Sequence, residues 1–395
     1  MEKESKGKPE HDELTKKAVS LEGFVFLGCF LGFFGIIGYK MGVVNMLNTF
    51  MNTAYDLLMN TVFYILAIAV LAGAISALFS EFGVISLINK VLSPFMKPIW
   101  GLPGAAAIGI VTTYLSDNPA ILTLADDKEF KKYFKKYQLP ALTNIGTAFG
   151  MGLIITTFMM GIKSPLEENF IGAALIGNVG AVVGSIVSSR IMLSKMAKRY
   201  GTIDYVIPRK DQEKEAEITT RKIHPGNVAE RFLNALLTGG KSGVDMGMAI
   251  IPGVLIICSL VLILTNGAGA DGVYTGEAYE GIALLPFIGE KLQFILKPLF
   301  GFSSSAALAV PITSLGAAGA AIGLVPTLVQ SGEACAHDIA VFTAMCMCWS
   351  GYLSTHVAMM DGLGYRKDTG DAILSHTIGG ICAGVAANLL YTLIF

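Results

Sequence analysis

The hydrophobic positions of the chain form long runs that short polar segments separate. A membrane-spanning helix needs about 20 consecutive, mostly apolar residues, and several runs approach that length. Each of them predicts a spanning helix: 22–42, 56–79, 139–162, 168–193, 245–266, 338–360 and 372–395. The pattern predicts an all-α polytopic membrane protein.

Two further apolar blocks, 99–125 and 299–330, are interrupted in the middle. The first is broken by the polar stretch Ser116–Pro119, and the second is broken by small residues around Gly316–Gly319. Each block follows a shorter amphipathic piece, Val84–Met96 or Leu284–Leu296, which predicts a helix lying in the membrane interface.

Lysine and arginine indicate on which side the connecting segments lie. Cytoplasmic loops carry an excess of both residues, so we expect 126–138, 194–241 and 361–371 to be cytoplasmic. The loop 267–283 has acidic residues and no lysine or arginine, so we expect it outside. With a cytoplasmic N-terminus, this gives a multi-pass protein of the inner, cytoplasmic membrane.

These sides fix the path of the interrupted blocks. Block 99–125 begins and ends on the cytoplasmic side, so it is predicted to enter and return as a re-entrant hairpin. Pro119 favours a break there, because proline lacks an N–H group and disfavours helix at the preceding residue. Block 299–330 is predicted to be a hairpin that enters from outside. Non-helical backbone at membrane depth is tolerated where it is buried in protein or lines a cavity.

The two hairpins are related in sequence. "KPIWGLPGAAAIGIVTTYLSDNPA" from Lys97 aligns without a gap with "KPLFGFSSSAALAVPITSLGAAGA" from Lys297, at an offset of 200. Each half has an odd number of predicted crossings, so the halves are inverted, as is typical of secondary transporter cores. The predicted division is a tail with a peripheral helix (1–55), a first repeat (56–193), a basic cytoplasmic linker (194–244) and an inverted second repeat (245–395).

Composition excludes several other classes of protein. Charged residues make up 15% of the chain, against about 25% in soluble domains. The formal net charge of −1 predicts no nucleic-acid partner, and the six scattered cysteines form no disulfide framework. No cofactor loop or nucleophile–base set occurs, so we expect a non-enzyme without a cofactor. The expected partners are the lipid bilayer and a small polar solute or cation; a homo-oligomer is left open.

Asp117 is the strongest candidate for a functional residue. An ionisable residue at membrane depth is energetically costly and usually functional, and a helix break leaves free backbone N–H and C=O groups. Asp117 and Asn118 are therefore predicted to bind the substrate or a coupling cation, either Na⁺ or a proton. The alternative is that Asp117 caps the second arm of the hairpin.

The other candidates share one of two locations, the hairpin tips or the polar stripes of the helices that follow them. A polar stripe inside a membrane bundle faces the substrate path or makes interhelical hydrogen bonds. The predicted substrate-binding set is Ser116, Asp117, Asn118, Thr143, Asn144, Thr147, Ser314, Gly316, Gly319, Thr343, Ser350 and Ser354.

Three further groups of residues are candidates for a functional or a structural role. Cys346 and Cys348 suggest a soft-metal site, but positions i and i+2 of a continuous helix point about 200° apart. His356 and His376 are candidates for proton shuttling or for packed hydrogen-bond partners. Asp245 is expected to cap the start of its helix.

The order of elements resembles the core of concentrative nucleoside transporters. It is also similar to the nucleoside-recognition, or Gate, membrane proteins, which include the membrane part of bacterial ferrous-iron transporters and the spore-maturation membrane proteins. The resemblance covers roughly 56–395 and rests on this order, "SDNPAILTLADD" and "KPLFGF". Asp117 stands where the iron transporters tend to carry Cys, while Asn118–Ala120 match. The nucleoside transporters favour a Gln-Thr-Glu type tip, and no P-loop motif of a GTPase occurs.

The resemblance implies a secondary active transporter, such as a symporter, that moves a nucleoside-like or other small polar solute by alternating access, coupled to a cation. One alternative is transport of a divalent metal ion. The other is a non-transporting membrane assembly protein like the spore-maturation relatives.

Overall fold

The computed structural model describes residues 17–116, 120–121, 128–207, 223–269, 271–350 and 352–395. Within these ranges the chain is an all-α polytopic membrane protein, and six of its helical segments are long and apolar enough to cross a membrane. They are Leu21–Met41, Val43–Glu81, Ala141–Gly161, Ile171–Tyr200, Val228–Thr265 and Arg366–Ile394.

The first half of the chain contains eight labelled helices, of which α2 and α3 join through a π-helical turn. The bounds are α1 Leu21–Met41, α2 Val43–Asp56, α3 Phe63–Glu81, α4 Val84–Phe95, α5 Ala106–Leu115, α6 Ala141–Phe149, α7 Gly152–Gly161 and α8 Ile171–Tyr200.

The second half repeats this order after the linker. A π-helical turn joins α9 and α10, as between α2 and α3. The bounds are α9 Val228–Ala249, α10 Ser259–Thr265, α11 Leu284–Phe300, α12 Ala309–Ser314, α13 Ala318–Gln330, α14 Ala336–Cys348, α15 Tyr352–Gly362 and α16 Thr369–Ile394.

The first helix of the second half begins earlier than predicted. Asn227 caps α9 and forms a capping box with Glu230, whose backbone N–H donates to the Asn227 side chain. The predicted start at Asp245 and its capping role were wrong, since Asp245 lies inside α9. Charged residues such as Arg231 and Lys241 interrupt the apolar pattern before Asp245, so the hydrophobic pattern did not predict the first turns of α9.

The basic segments gather on one side of the molecule. The Lys136 backbone N–H donates to Asp204 O (2.8 Å), and the Tyr365 hydroxyl donates to Lys136 O (2.9 Å). The prediction that these three segments share a side is confirmed. We call this side, formed by residues 133–136, 201–206 and 365–371, the basic face. The loop 267–283 lies at the other end of α9–α10, and we call its side the acidic-loop face.

Block 99–125 enters and returns on the basic face. The Gln138 side chain donates to Gly101 O (3.1 Å), which brings the two ends of the block together. The first arm, α5, has only 10 residues. A Cβ atom added at Gly109 of α5 would lie 2.9 Å from Ile121 Cδ1, so the chain doubles back along α5. The predicted hairpin is confirmed.

Block 299–330 is a second hairpin. Its arms are α12, which ends at Ser314, and α13, which begins at Ala318, so the break lies around Gly316 as predicted. The Asp338 carboxylate accepts from the Ser303 N–H (3.0 Å) and the Ser303 hydroxyl (2.5 Å), and so joins the two ends of the block.

The carbonyl groups that follow the two Lys-Pro pairs are bound in equivalent ways. Arg190 Nε donates to Ile99 O (2.8 Å), and Asn388 Nδ2 donates to Leu299 O (2.9 Å). Ile99 and Leu299 are equivalent at the offset of 200, as are Gln138 and Asp338, whose side chains close the two hairpin bases. The repeat seen in the sequence is therefore also a repeat of contacts.

Helices α8 and α16, the last of each repeat, pack antiparallel. A Cβ atom at Gly184 would lie 2.6 Å from Gly379 O. Further along α8, Lys195 Nζ lies 3.0 Å from Asp371 Oδ1, so the residue numbers run in opposite directions. Equivalent helices of the two repeats thus have opposite directions, as an inverted repeat requires. Small residues permit this close approach.

A second close seam joins α3 and α9. A Cβ atom at Gly243 would lie 2.2 Å from Ala69 O, and one at Gly73 would lie 2.4 Å from Gly239 O. Both seams connect one repeat with the other.

The periphery of the molecule presents apolar side chains. Helix α1 buries only Ile37, Gly38 and Met41 of its 21 residues, in accord with the predicted peripheral helix. On α4, Leu87 and Val91 are exposed at a spacing that puts them on one face. These surfaces suit contact with lipid.

Glu280 organises the loop on the acidic-loop face. Its carboxylate accepts from the Thr275 N–H (2.9 Å), the Thr275 hydroxyl (2.7 Å) and the Gly276 N–H (2.9 Å). Burial alone would raise the pKa of Glu280, but these hydrogen bonds outweigh it and hold the pKa below its usual value.

We expect Glu280→Gln to lower the free energy of unfolding by about 1 kcal/mol, at the low end for charge-assisted hydrogen bonds because the loop borders solvent. A lowered pKa stabilises the fold above the unfolded-state value of about 4.3, and this stabilisation is lost as pH falls through the folded-state value. Thermal unfolding across pH should show the two proteins converging in acid. A constant difference at every pH would contradict the role of the ionised carboxylate.

Candidate functional site

Two helices are broken in the middle of the membrane region. The α6–α7 helix is interrupted at Gly150 and Met151, where Met151 has a φ of 55°. The α14–α15 helix ends at Cys348 and begins again at Tyr352. The predicted spanning segment over 139–162 is confirmed as Ala141–Gly161, with a break inside it, whereas the prediction of a single helix over 338–360 was wrong. The hydrophobic run continues through both breaks, so hydrophobicity alone does not mark them.

The broken helices cross in antiparallel directions. Thr147 Oγ1 lies 3.3 Å from His356 Nδ1, and Thr156 Oγ1 lies 3.9 Å from Met347 Sδ. As residue numbers rise along one helix they fall along the other, and both breaks lie between these two contacts. The ends of four half-helices therefore meet at the crossing, where their free backbone groups are available to a ligand.

The first hairpin reaches this crossing. A Cβ atom at Gly152, the first residue of α7, would lie 2.2 Å from the Tyr114 ring. The Tyr114 hydroxyl is 3.4 Å from Thr156 Oγ1, and Asn178 Nδ2 of α8 donates to the same Thr156 oxygen (2.9 Å). Helix α5 ends at Leu115, so the hairpin tip follows directly.

The second hairpin contacts the other broken helix, since both α12 and α13 touch α14. Gly316 is exposed at the tip, and a Cβ atom at Gly253 would lie 3.5 Å from Ala317 Cβ. Gly319 is buried against Ile250, which directly follows α9. The tip therefore lies beside the π-helical turn between α9 and α10.

Several predicted site residues lie at these breaks. Asp117 and Asn118 lie outside the described residues, as does the side chain of Ser354. Ser116 follows α5 directly, and its hydroxyl donates to Thr112 O (2.7 Å). Ser350 is buried at the break between α14 and α15.

Other predicted residues are engaged within their helices or with neighbouring helices. The Ser314 hydroxyl donates to Pro311 O (2.8 Å). Thr343 donates to its own helix and faces Gly177 of α8, where a Cβ atom would lie 2.4 Å from Thr343 Cβ. Thr343 is on the α8 side of α14.

The polar residues of α6 belong to a buried network. Asn144 Nδ2 lies 2.6 Å from Ser188 Oγ and 3.0 Å from Ser375 Oγ, so it ties α6 to α8 and α16. Thr143 and Thr147 are also fully buried, and Thr147 contacts His356. Of the two interpretations of a polar stripe, Asn144 shows interhelical hydrogen bonding.

Sequence reasoning missed Tyr114, Thr156 and Asn178, which connect hairpin, broken helix and α8. Tyr114 precedes the polar tip, and Asn178 is a lone amide inside the apolar run of α8. A lone amide in such a run is a recognisable signal of interhelical bonding.

A cleft of about 550 Å³ opens on the acidic-loop face between the two repeats. Its polar lining includes Asp56, which accepts from Asn60 Nδ2 (2.7 Å) and from the Tyr279 hydroxyl. Lys163, after α7, and Gln330, at the end of α13, complete one wall, where Gln330 donates to Lys163 O (2.8 Å). The cleft borders the second arm of the second hairpin.

Over the described part of the chain, no cluster of three or more His, Cys, Asp or Glu side chains could hold a metal ion. Cys346 and Cys348 both lie within the continuous helix α14, two positions apart.

Comparison with known proteins adds information on the fold. No protein-family profile matches the sequence. An uncharacterised protein of Alkalihalophilus pseudofirmus is 23% identical over 225 residues, which cover 55% of this chain and 47% of that protein. The chain thus spans about half the length of this relative.

Solved structures of CNTnw, a concentrative nucleoside transporter, are similar over 94% of this chain. An outward-facing variant has a TM-score of 0.53 at 14% identity and is covered over 85% of its length. An inward-facing, substrate-bound form gives 0.51 at 15% identity and 87% coverage. An intermediate-state variant gives 0.54 at 15% identity and 88% coverage. The comparison identifies a fold rather than a conformational state: this chain has the fold of CNTnw.

Proposed function

We propose that the protein is a secondary active transporter that moves a nucleoside-like or other small polar solute by alternating access, coupled to a cation. The observation that carries the proposal is the crossing of the two broken helices, with a hairpin beside each. Unwound backbone at membrane depth is tolerated where it is buried in protein or lines a cavity, and in secondary transporters discontinuous helices form the substrate and ion sites.

The proposed solute site lies between the hairpin tips and the helix breaks. Asp117 and Asn118 would bind the solute or the coupling cation, and Ser116, Gly316 and Ser350 would line the same space. The cleft beside Asp56 would be the entrance from the acidic-loop face. The division into two repeats, 56–193 and 245–395, is part of the same proposal, with α9 extending the second repeat toward the linker.

We further propose that the basic face is cytoplasmic, because lysine and arginine are enriched in cytoplasmic loops. This puts the N-terminus in the cytoplasm and the cleft outside. A bacterial inner membrane is the location that fits this arrangement.

The proposal predicts that a transported solute stabilises the purified protein. A ligand at 100 times its dissociation constant adds about 2.7 kcal/mol to the free energy of unfolding. We expect uridine, adenosine or another small polar solute to raise the apparent melting temperature of the wild type. In Asp117→Asn this rise should vanish.

Asp361→Asn is the matched control, because Asp361 is exposed near the end of α15. Its ion pair with Arg366 is long, at 4.0 Å. This variant should respond to solute as the wild type does. A rise that survives in Asp117→Asn would move the site away from the first tip. A response to divalent metals alone would favour metal transport, and no response to any solute or ion would favour an assembly role.

A further inference from the structure

A buried polar cluster lies between the crossing and the basic face, where α6, α8, α15 and α16 meet. Two histidines form its centre: the ring centroids of His356 and His376 are 4.8 Å apart, and both side chains are fully buried. The surrounding members are Thr143, Asn144, Thr147, Ser188, Tyr352 and Ser375.

The hydrogen bonds of His356 define its tautomer. Nδ1 lies 2.8 Å from the backbone oxygen of Tyr352, and a carbonyl oxygen can only accept, so Nδ1 carries the hydrogen. The Thr147 hydroxyl already donates to Thr143 O (3.0 Å) and can accept from the same nitrogen. In a neutral ring Nε2 then carries no hydrogen and has a lone pair that can only accept. It is buried and has no hydrogen-bond partner among the residues that the structure describes.

His376 differs because both of its nitrogens are used. Nε2 contacts Cys348 O and must donate to it, and Nδ1 accepts from the Ser188 hydroxyl (2.8 Å). Asn144 Nδ2 donates to Ser188, while Asn144 Oδ1 is buried and finds no partner in the described part of the chain. The cluster therefore combines one free basic atom with one free acceptor.

We propose that His356 Nε2 is a proton-binding site, and that its proton couples to movement of the broken helices. The inference rests on the proposed transport function. Adding a proton makes Nε2 a donor that needs an acceptor, and Asn144 Oδ1 of the same cluster is an acceptor left unfilled by the described contacts. A buried cation must be paired or hydrogen-bonded. Proton binding to His356 therefore favours a conformation in which this cluster rearranges or opens to water.

The groups around His356 suit a proton rather than a metal ion. Helix α16 presents His376, α15 itself presents Tyr352, and the described α6 residues that face the ring are the uncharged Thr143 and Thr147. The turn after α15 carries Asp368, which pairs with Arg199 at the basic face. A hard metal cation needs several oxygen ligands, whereas a proton needs one lone pair.

A polar route connects the cluster with the basic face. Ser375, which contacts Asn144, donates to the backbone oxygen of Asp371 (2.7 Å). The Asp371 carboxylate is bound by Lys195 (3.0 Å) and Arg199 (2.9 Å) at the surface. The proton would therefore exchange with the side on which the basic face lies.

The site can be tested without knowing the solute. The chain has five histidines, and solid-state NMR of ¹⁵N-histidine-labelled protein in liposomes distinguishes the two neutral tautomers. We expect a neutral Nδ1–H imidazole that becomes doubly protonated when the pH is lowered stepwise over the range in which the protein stays folded. His356→Asn should remove this signal, because the asparagine amide can replace the Nδ1–H donor but has no Nε2.

His337→Gln is the control, since His337 bonds Asn388 Oδ1 at the start of α14 and lies outside the cluster. It should leave the Nδ1–H signal in place. The inference is overturned if His356 is the Nε2–H tautomer, or if its signal stays neutral at every pH at which the protein remains folded.

Coupling is tested in proteoliposomes with radiolabelled uridine and adenosine. For one proton per solute, a gradient of about one pH unit drives up to about tenfold accumulation. The wild type and His337→Gln should approach this ratio, and His356→Asn should lose the accumulation. Solute exchange by the wild type without any response to the gradient would refute coupling and leave transport standing. No exchange at all would refute the proposed function, while the NMR titration would still decide the proton site.

Discussion

Replacing Gly184 by leucine is expected to prevent the protein from reaching its folded state. A Cβ atom at this position would lie 2.6 Å from Gly379 O and 2.7 Å from Ala383 Cβ. A backbone oxygen in the middle of a helix cannot swing aside as a long side chain can. Overpacking commonly costs about 1–3 kcal/mol, and a leucine here would separate α8 from α16 along their seam, so we expect a larger loss.

The measurement is size-exclusion chromatography followed by thermal unfolding. Gly370→Leu is the matched control, because it places the same side chain near the start of α16 where no atom lies within 4 Å of the new Cβ. Gly184→Ala should fall between the two. A Gly184→Leu protein that elutes and melts like the wild type would show that α8 and α16 do not meet as described.

Asp338→Ala is expected to destabilise the base of the second hairpin. The buried Asp338 carboxylate accepts from both the N–H and the hydroxyl of Ser303, and it also accepts from the Cys335 N–H (2.9 Å) at the start of α14. Hydrogen bonds to charged groups contribute about 1.5–3 kcal/mol each. Since the bonds share one group and water can replace some of them, we expect a total loss of about 3 kcal/mol.

Thermal or denaturant unfolding of the full chain would measure this loss. Asp361→Ala, on the exposed surface of α15, removes a carboxylate that forms only a distant pair and should change stability little. Asp338→Asn separates charge from shape, because the amide keeps one acceptor oxygen and should lose less than the alanine variant. Equal stability of Asp338→Ala and Asp361→Ala would mean that the hairpin base is not held by Asp338.

The alternation of apolar and polar segments was enough to predict the main path of the chain. Length fixed the spanning helices, and the grouping of basic segments forced 99–125 to double back, as the bond between Gln138 and Gly101 confirms. The Lys-Pro pairs gave the register of the repeat. These features follow from the bilayer, which constrains length and charge more strongly than a soluble core does.

The breaks in α6–α7 and α14–α15 could not be predicted in the same way. Proline marks the end of the first hairpin arm, but glycine occurs throughout membrane helices and does not by itself indicate a break. Gly150 begins a break, whereas Gly180 lies within the continuous helix α8. The distinction comes from packing: the ends at Gly150 face a neighbouring hairpin, and only the tertiary structure supplies that neighbour.

The candidate site was predicted only in part, because its contacts also depend on the tertiary structure. A polar residue on a membrane helix indicates that its side chain needs a hydrogen-bond partner, but it does not indicate which residue that partner is. Asn144 was assigned to a polar stripe that faces either the substrate path or neighbouring helices, and its partners prove to be Ser188 and Ser375. His356 and His376 were noted as isolated residues, and their proximity became visible only when α15 and α16 were placed side by side.

The two close helix seams have a consequence for how the chain is made. Helix α3 lies against α9, and α8 lies against α16, so each long helix of the first repeat has its closest partner in the second. A ribosome delivers these partners late, after the linker has emerged. Until then the first half lies in the membrane with the glycine-containing faces of α3 and α8 not yet packed against α9 and α16. Separately expressed halves should be degraded, whereas halves produced together should assemble.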